Sequence, residues 1–275
     1  QKGMILHPVK FKLFARIKGY DKRIKAGEYL LSSAMTPKKI LETMVDGKVR
    51  LHRLTIPEGY NLIQIAQAVE TAGFASEADF LKAATDPDLV HVKGINAQTF
   101  EGYLFPDTYY FPRGVTPENI ISIMVKRFWS VFTPEWEEQT KILGLSIHQV
   151  ITLASIIEKE AAVADERPII SSVFHNRLKR NMRLESDPTV IYGIEDYNGN
   201  ITRKDLAHPT PYNTYTIKGL PPGPISNTGA KAIEATLYPA DTKFLYFVSR
   251  KDRTHQFSTN FKDHNRAVRK YQLRR

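Results

Sequence analysis

A chain of 275 residues without a cysteine has room for one large domain or two modest ones, and excludes disulfides, thiolate metal sites and cysteine nucleophiles. Its hydrophobic share of 42% and charged share of 25% are those of a globular protein with an ample core, and no apolar run approaches the roughly 20 residues that span a bilayer. The net charge of +10 is lopsided, with 13 Lys/Arg against 5 Asp/Glu in residues 1–60, 9 against 2 in residues 250–275, and 17 against 22 between them. Basic ends around an acidic middle argue against a nucleic-acid groove through the domain. They suit termini beside an anionic surface such as a membrane leaflet. No signal peptide is visible, and the abrupt start at Gln1-Lys2-Gly3 is that expected of a segment whose targeting region lies upstream.

Val9 to Ile17 alternates apolar and basic residues, the period of a half-buried strand, and a second strand is expected over Glu28–Leu31. Thr36-Pro37 opens a helix that Gly47 closes. Val49–Ile56 reads as a strand, and Asn61 with Gln64 caps a helix that ends at Gly73. Residues 1–75 thus form a small β/α module, with residues 76–275 as a second, mainly helical α+β domain. A helix from Ser76 and a loop at Asp86-Pro87-Asp88 follow. Glu101 to Phe111 is a dense aromatic stretch broken by a proline and two acids, suited to stacking on sugar rings and equally to a core strand or corner.

Thr116-Pro117 and Thr133-Pro134 each open a helix, leading to SIHQVITLASIIEKEAA at Ser146–Ala162. Ser146 with Gln149 is a capping box. At 3.6 residues per turn Ile147, Ile151, Ala154, Glu158 and Ala161 share a stripe, Leu153, Ile156 and Ile157 cover much of the rest, and Glu160 points roughly opposite. Glu158 is therefore a carboxyl group on an apolar face. Burial raises its pKa toward what a general acid needs near neutral pH, unless a structural Arg pairs with it. Asp165 is placed to cap the next helix, whose end at Arg177, Lys179 and Arg180 agrees with the helix dipole.

Beyond Arg183 the chain turns irregular, with one short helix between Asp187-Pro188 and Gly193. The segment from His208 to Asn227 has too many prolines and glycines for a long helix or central strand, and its tyrosines favour a packed binding loop. The tail predicts a helix from Thr228, strands at Phe244–Ser249 and Gln256–Ser258, and a basic helix from Asn260. No Gly-x-Ser-x-Gly, phosphate-loop or His-Glu-x-x-His pattern occurs. His175 and His264, each before an Asn on a predicted helix, read as surface or capping residues rather than ligands, so no metal site is expected.

LASIIEKE at Leu153–Glu160, ESDPTVIYG at Glu185–Gly193, PYNTYTIKGLPPGPI at Pro211–Ile225 and EGYLFPDTY at Glu101–Tyr109 together resemble the YceG-like family, in the family's order. The resemblance implies an endolytic lytic transglycosylase of peptidoglycan glycan strands, needing no cofactor. It implies a LysM-like N-terminal module and an N-terminal inner-membrane helix that is absent here. The soluble part would lie in the periplasm beside synthases of the penicillin-binding type, with no nucleic-acid partner. The first Glu of the EKE motif is the family's catalytic acid, which is Glu158 here. Glu101, Tyr103, Asp187, Tyr192, Asn213 and Tyr215 fall in the other motifs and are expected around the sugar. Two alternatives stay open: a lysozyme-type hydrolase, whose second acid would be Asp187 or Glu101, and a glycan-binding scaffold without turnover.

Overall fold

The computed structural model describes residues 7–195 and 197–273; Lys2, Arg274 and Arg275 of the basic ends lie outside the described residues. Its class is α+β, with two antiparallel two-stranded sheets among many helices. The strand predicted over Val9–Ile17 is instead a helix, α1 (Pro8–Ile17). Pro8 takes the first helical position, and among the described residues no strand pairs with this segment, so only a helix satisfies its backbone internally. The same residues that alternate also repeat every four: Val9, Leu13 and Ile17 form an exposed apolar stripe, while Phe11 and Phe14 line a cavity with Met35 and Ile40. Glu28–Leu31 is irregular rather than a strand, tied to the approach to β1 by the Arg50 amide donating to the Glu28 carbonyl.

Local signals do better from here. α2 (Pro37–Asp46) runs from the Thr36 cap to Gly47 in the left-handed region, β1 spans Leu51–Thr55, and α3 (Leu62–Thr71) follows the Asn61–Gln64 capping box. Ser76 caps α4 (Glu77–Ala84). Asp86-Pro87-Asp88 opens α5 (Pro87–Val92) where a loop was expected, because Asp86 accepts from the amides of Asp88 and Leu89. The stretch after Glu101 is a buried corner through Phe105 and then β2 (Thr108–Pro112), which pairs with β1 so that Leu51 faces Pro112 and Thr55 faces Thr108. α6 (Pro117–Val131), α7 (Pro134–Ile142) and α8 (Ile147–Glu160) start at the predicted caps. One apolar core joins Leu54 and Ile65 to Phe80, Phe100, Ile121, Ile151 and Ile233.

Asp165 does not cap the next helix. It lies within a 3-10 turn at Ala164–Glu166 that runs straight into α9 (Arg167–Lys179), leaving no extended cap position for it to fill. His175 is buried rather than at the surface; its ring joins α9 to α12 (Ala230–Leu237) through the Thr236 carbonyl at 2.9 Å. Asp187 is the first residue of α10 (Asp187–Tyr192) and Ser186 its cap, so Asp187 is free to bond elsewhere. An unpredicted short helix, α11 (Arg203–Ala207), rests on a Thr202–Asp205 capping box. β3 (Tyr246–Ser249), β4 (His255–Ser258) and α13 (Phe261–Tyr271), with His264 half-buried against Tyr246, complete the chain. Among the described residues no single helix is long and apolar enough to cross a membrane.

Candidate active site

α8 is held from both ends. Its capping box fixes the start, and Val150 to Ile157 are buried without interruption, so its last turn is delivered to a fixed place. Glu158 stands there with its side chain only 7% exposed. Arg167, at the start of α9, donates to one carboxylate oxygen at 3.2 Å, and the Gly229 amide, just before α12, donates to the other at 3.2 Å. Burial holds the Glu158 carboxyl above its ordinary pKa; Arg167 pulls it down, and the charge of Glu58 pushes it up again.

Glu58 comes from the turn between β1 and α3. Its half-exposed carboxylate lies 3.9 Å from the same Arg167 nitrogen and packs over Gly229, where an added Cβ would collide with it. Gly229 has φ of −74°, so this close approach, and not backbone strain, requires the glycine. Lys159 ties the turn to α8 by donating to the Gly59 carbonyl at 3.3 Å. Glu58, Arg167 and Gly229 escaped the sequence reading. Pro57-Glu58-Gly59 reads locally as a turn, and nothing near it in sequence reveals the distant helix on which it folds.

Glu101 is 4% exposed and accepts from the Leu62 amide at 3.1 Å, the Tyr192 hydroxyl at 3.1 Å and the Asn227 carboxamide at 2.8 Å. Burial outweighs these donors and pushes its pKa up to about 7. Asn227 also binds the Leu104 amide and exchanges backbone bonds with Gly59 and Tyr60. It thereby fastens the turn carrying Glu58 to Glu101. Tyr103 is buried in the core, its hydroxyl 3.1 Å from His148 Nδ1. The Pro222 carbonyl at 2.9 Å makes Nε2 the protonated nitrogen, so Tyr103 donates to Nδ1. Glu101, His148, Tyr212 and Pro222–Pro224 line a groove of about 290 Å³.

A third group lies on the loops. Tyr215 donates to Asp187 at 2.6 Å, and this bond with burial raises the phenol's pKa. Asn213 is buried; its oxygen accepts from the Tyr215 amide at 2.9 Å and its nitrogen faces the carbonyls of Asp205, Leu206 and His208. Both ends of this carboxamide are engaged by the loop itself. Glu160 accepts from Ser186 at 2.5 Å, joining α8 to α10, and burial pushes its pKa up to about 7. The six residues expected around the sugar thus divide: Glu101 meets Tyr192, Asp187 meets Tyr215 with Asn213 behind it, and Tyr103 sits in the core. Among the described residues none of the six hydrogen-bonds to Glu158.

The sequence model of the YceG-like family matches residues 1–270. The chain belongs to the YceG-like family. It is 35% identical to a protein of Bacillus subtilis named endolytic murein transglycosylase, over 95% of this chain and 76% of that one. It is 33% identical to a protein of the same name from Streptococcus pneumoniae, over 97% of this chain and 54% of that one, and so spans about half of the latter. The fold matches a crystal structure of a yceG-like protein from Listeria monocytogenes with a TM-score of 0.72 and 38% identity, covering 96% of this chain and 91% of that chain.

Proposed function

We propose that this family member is an endolytic lytic transglycosylase that cuts the MurNAc–GlcNAc β-1,4 bond within peptidoglycan glycan strands, with Glu158 as acid and then base. The observation that carries the reading is the shielded Glu158 carboxyl, raised in pKa by burial yet gripped at both oxygens by Arg167 and the Gly229 amide. The relatives named endolytic murein transglycosylase supply the substrate class. In the first step Glu158 gives its proton to the leaving glycosidic oxygen as the bond to C1 breaks, while the N-acetyl group of the sugar stabilises the positive centre. The Glu158 carboxylate then takes the proton of the muramyl C6 hydroxyl, whose oxygen bonds C1 and closes a 1,6-anhydro ring. No water is consumed and the acid is regenerated.

Glu101 and Tyr192 in one group, and Asp187 and Tyr215 in the other, are placed around the sugar in this reading. Asn213 shapes the loop that presents Tyr215, and Tyr103 sets His148. Residues 1–75 serve as a LysM-like glycan-binding module. The whole works in the periplasm close to the inner membrane, beside synthases of the penicillin-binding type, where internal cuts terminate strand growth; the basic flanks support that placement. The test is digestion of purified sacculi followed by mass analysis. Products should carry anhydro ends, one water lighter than reducing ends. Glu158→Gln should remain folded and lose a factor on the order of 10²–10⁴ in rate. Reducing-end products, or near-normal turnover by the Gln variant, would refute the assignment.

A further inference from the structure

Resting on that reading, we propose that Glu58 is the second carboxylate of the reaction centre, a positioning residue that acts on Glu158 through Arg167 and keeps it in its proton-donating form. Both carboxylates reach one nitrogen, Arg167 Nη2, at 3.2 Å from Glu158 and 3.9 Å from Glu58. Their oxygens therefore lie no farther apart than those two distances laid end to end. The guanidinium is largely buried, its Nε has no partner among the described residues, and it holds Glu158 by one nitrogen rather than as a two-bonded fork. A cation committed wholly to Glu158 would keep that carboxyl ionised and unable to donate. Glu58, half-exposed, draws on the same cation and sets a negative charge beside the largely buried Glu158.

The other charged groups nearby are occupied. Lys159 is turned to the Gly59 carbonyl, Lys231 on α12 pairs with Glu234 at 2.8 Å, and Glu166 pairs with His255 at 2.7 Å. Asp165 lines a cavity with Arg167, Lys231 and Glu234, and Glu158 is not among its lining residues. Arg167 and Glu58 are the charges that act on Glu158 itself, with the Gly229 amide as the remaining polar partner. Two substitutions remove its influence: Glu58→Gln neutralises the carboxylate while keeping its shape, and Glu58→Ala removes it altogether.

The experiment is the pH dependence of kcat/KM for release of anhydro-ended products from purified glycan strands, in the wild type and both variants. Loss of a neighbouring negative charge favours ionisation of Glu158. The alkaline limb should therefore move down by about one pH unit in each variant, with the rate on the acid side kept within about threefold. A limb that stays in place, or an equal loss at every pH, overturns the proposal, as does loss of the fold in both variants, which would make Glu58 a structural brace. Glu158→Gln assayed alongside keeps the two ideas apart. An active Gln variant removes the underlying mechanism, whereas an inactive one with an unmoved Glu58→Gln limb removes only the role of Glu58.

Discussion

Glu160 stands two residues from Glu158 on α8 and faces a different neighbour, Ser186, from which it accepts at 2.5 Å. Its carboxyl is raised from 4.5 to about 7, chiefly by burial, with the charge of Asp187 adding to the rise. An acid whose folded pKa exceeds its unfolded value keeps its proton longer when folded. Stability is therefore lost as pH climbs from about 4.5 to about 7. Glu160→Gln retains an oxygen for Ser186 and removes the charge. Its urea midpoint should match the wild type near pH 4.5 and exceed it at pH 8, a differential of about 1–2 kcal/mol after allowing for residual solvent contact. Parallel curves across that range would show the carboxyl to be ordinary. At this scale Glu158 was legible in the sequence because an acid amid Ile151, Ala154, Ile156 and Ile157 breaks a local pattern. Glu58 and Gly229 break none; their meaning comes from contacts across about 70 to 170 residues, which no local period encodes, and Arg167, though only nine residues from Glu158, lies beyond the helix end, where no period continues.

Among the elements, α9 carries the clearest brace. Arg177 is buried near its end, donating to the Leu245 carbonyl at 2.7 Å and the Leu184 carbonyl at 2.8 Å, with its guanidinium 5.2 Å from the Tyr246 ring. It thus joins α9 to the approach to β3 and to the irregular stretch before Ser186. A lysine ammonium lacks the rigid fork by which Nε and Nη1 reach these two carbonyls at once, so Arg177→Lys should cost about 2–4 kcal/mol, most of what Arg177→Met costs. Thermal melting of the two variants checks this; a Lys variant close to wild type would mean that charge alone suffices. The basic end of this helix looked like dipole compensation in sequence, which is true of Lys179 but understates Arg177. The same contrast runs through the fold. α2, α3, α6, α7 and α8 were legible because each has its cap, Pro or Gly within a few residues. α1 was not, because a run of Lys and apolar residues satisfies a period of two and a period of four together, and tertiary surroundings decide between them. α11 is too short for any periodicity to show.

For the molecule as a whole, charge and one exposed apolar face make a further prediction. α1 exposes Val9, Leu13 and Ile17 beside Lys10, Lys12 and Arg16, and α13 adds Lys262, Arg266, Arg269 and Lys270. Each basic residue near an anionic leaflet contributes about 1 kcal/mol within a Debye length. Sedimentation with anionic vesicles should therefore show weak binding at low salt that disappears at high salt; no binding even at low salt refutes the placement of these basic flanks beside an anionic leaflet. The site is equally a property of the whole chain, since Glu58, Glu158, Arg167 and Gly229 come from four separated segments. Ribosomes deliver them in that order, and the amide that grips the second Glu158 oxygen arrives last. A nascent chain that has passed Glu158 but not yet Gly229 holds the acid without its environment, so an enzyme able to sever the wall gains that ability only after all four segments have emerged.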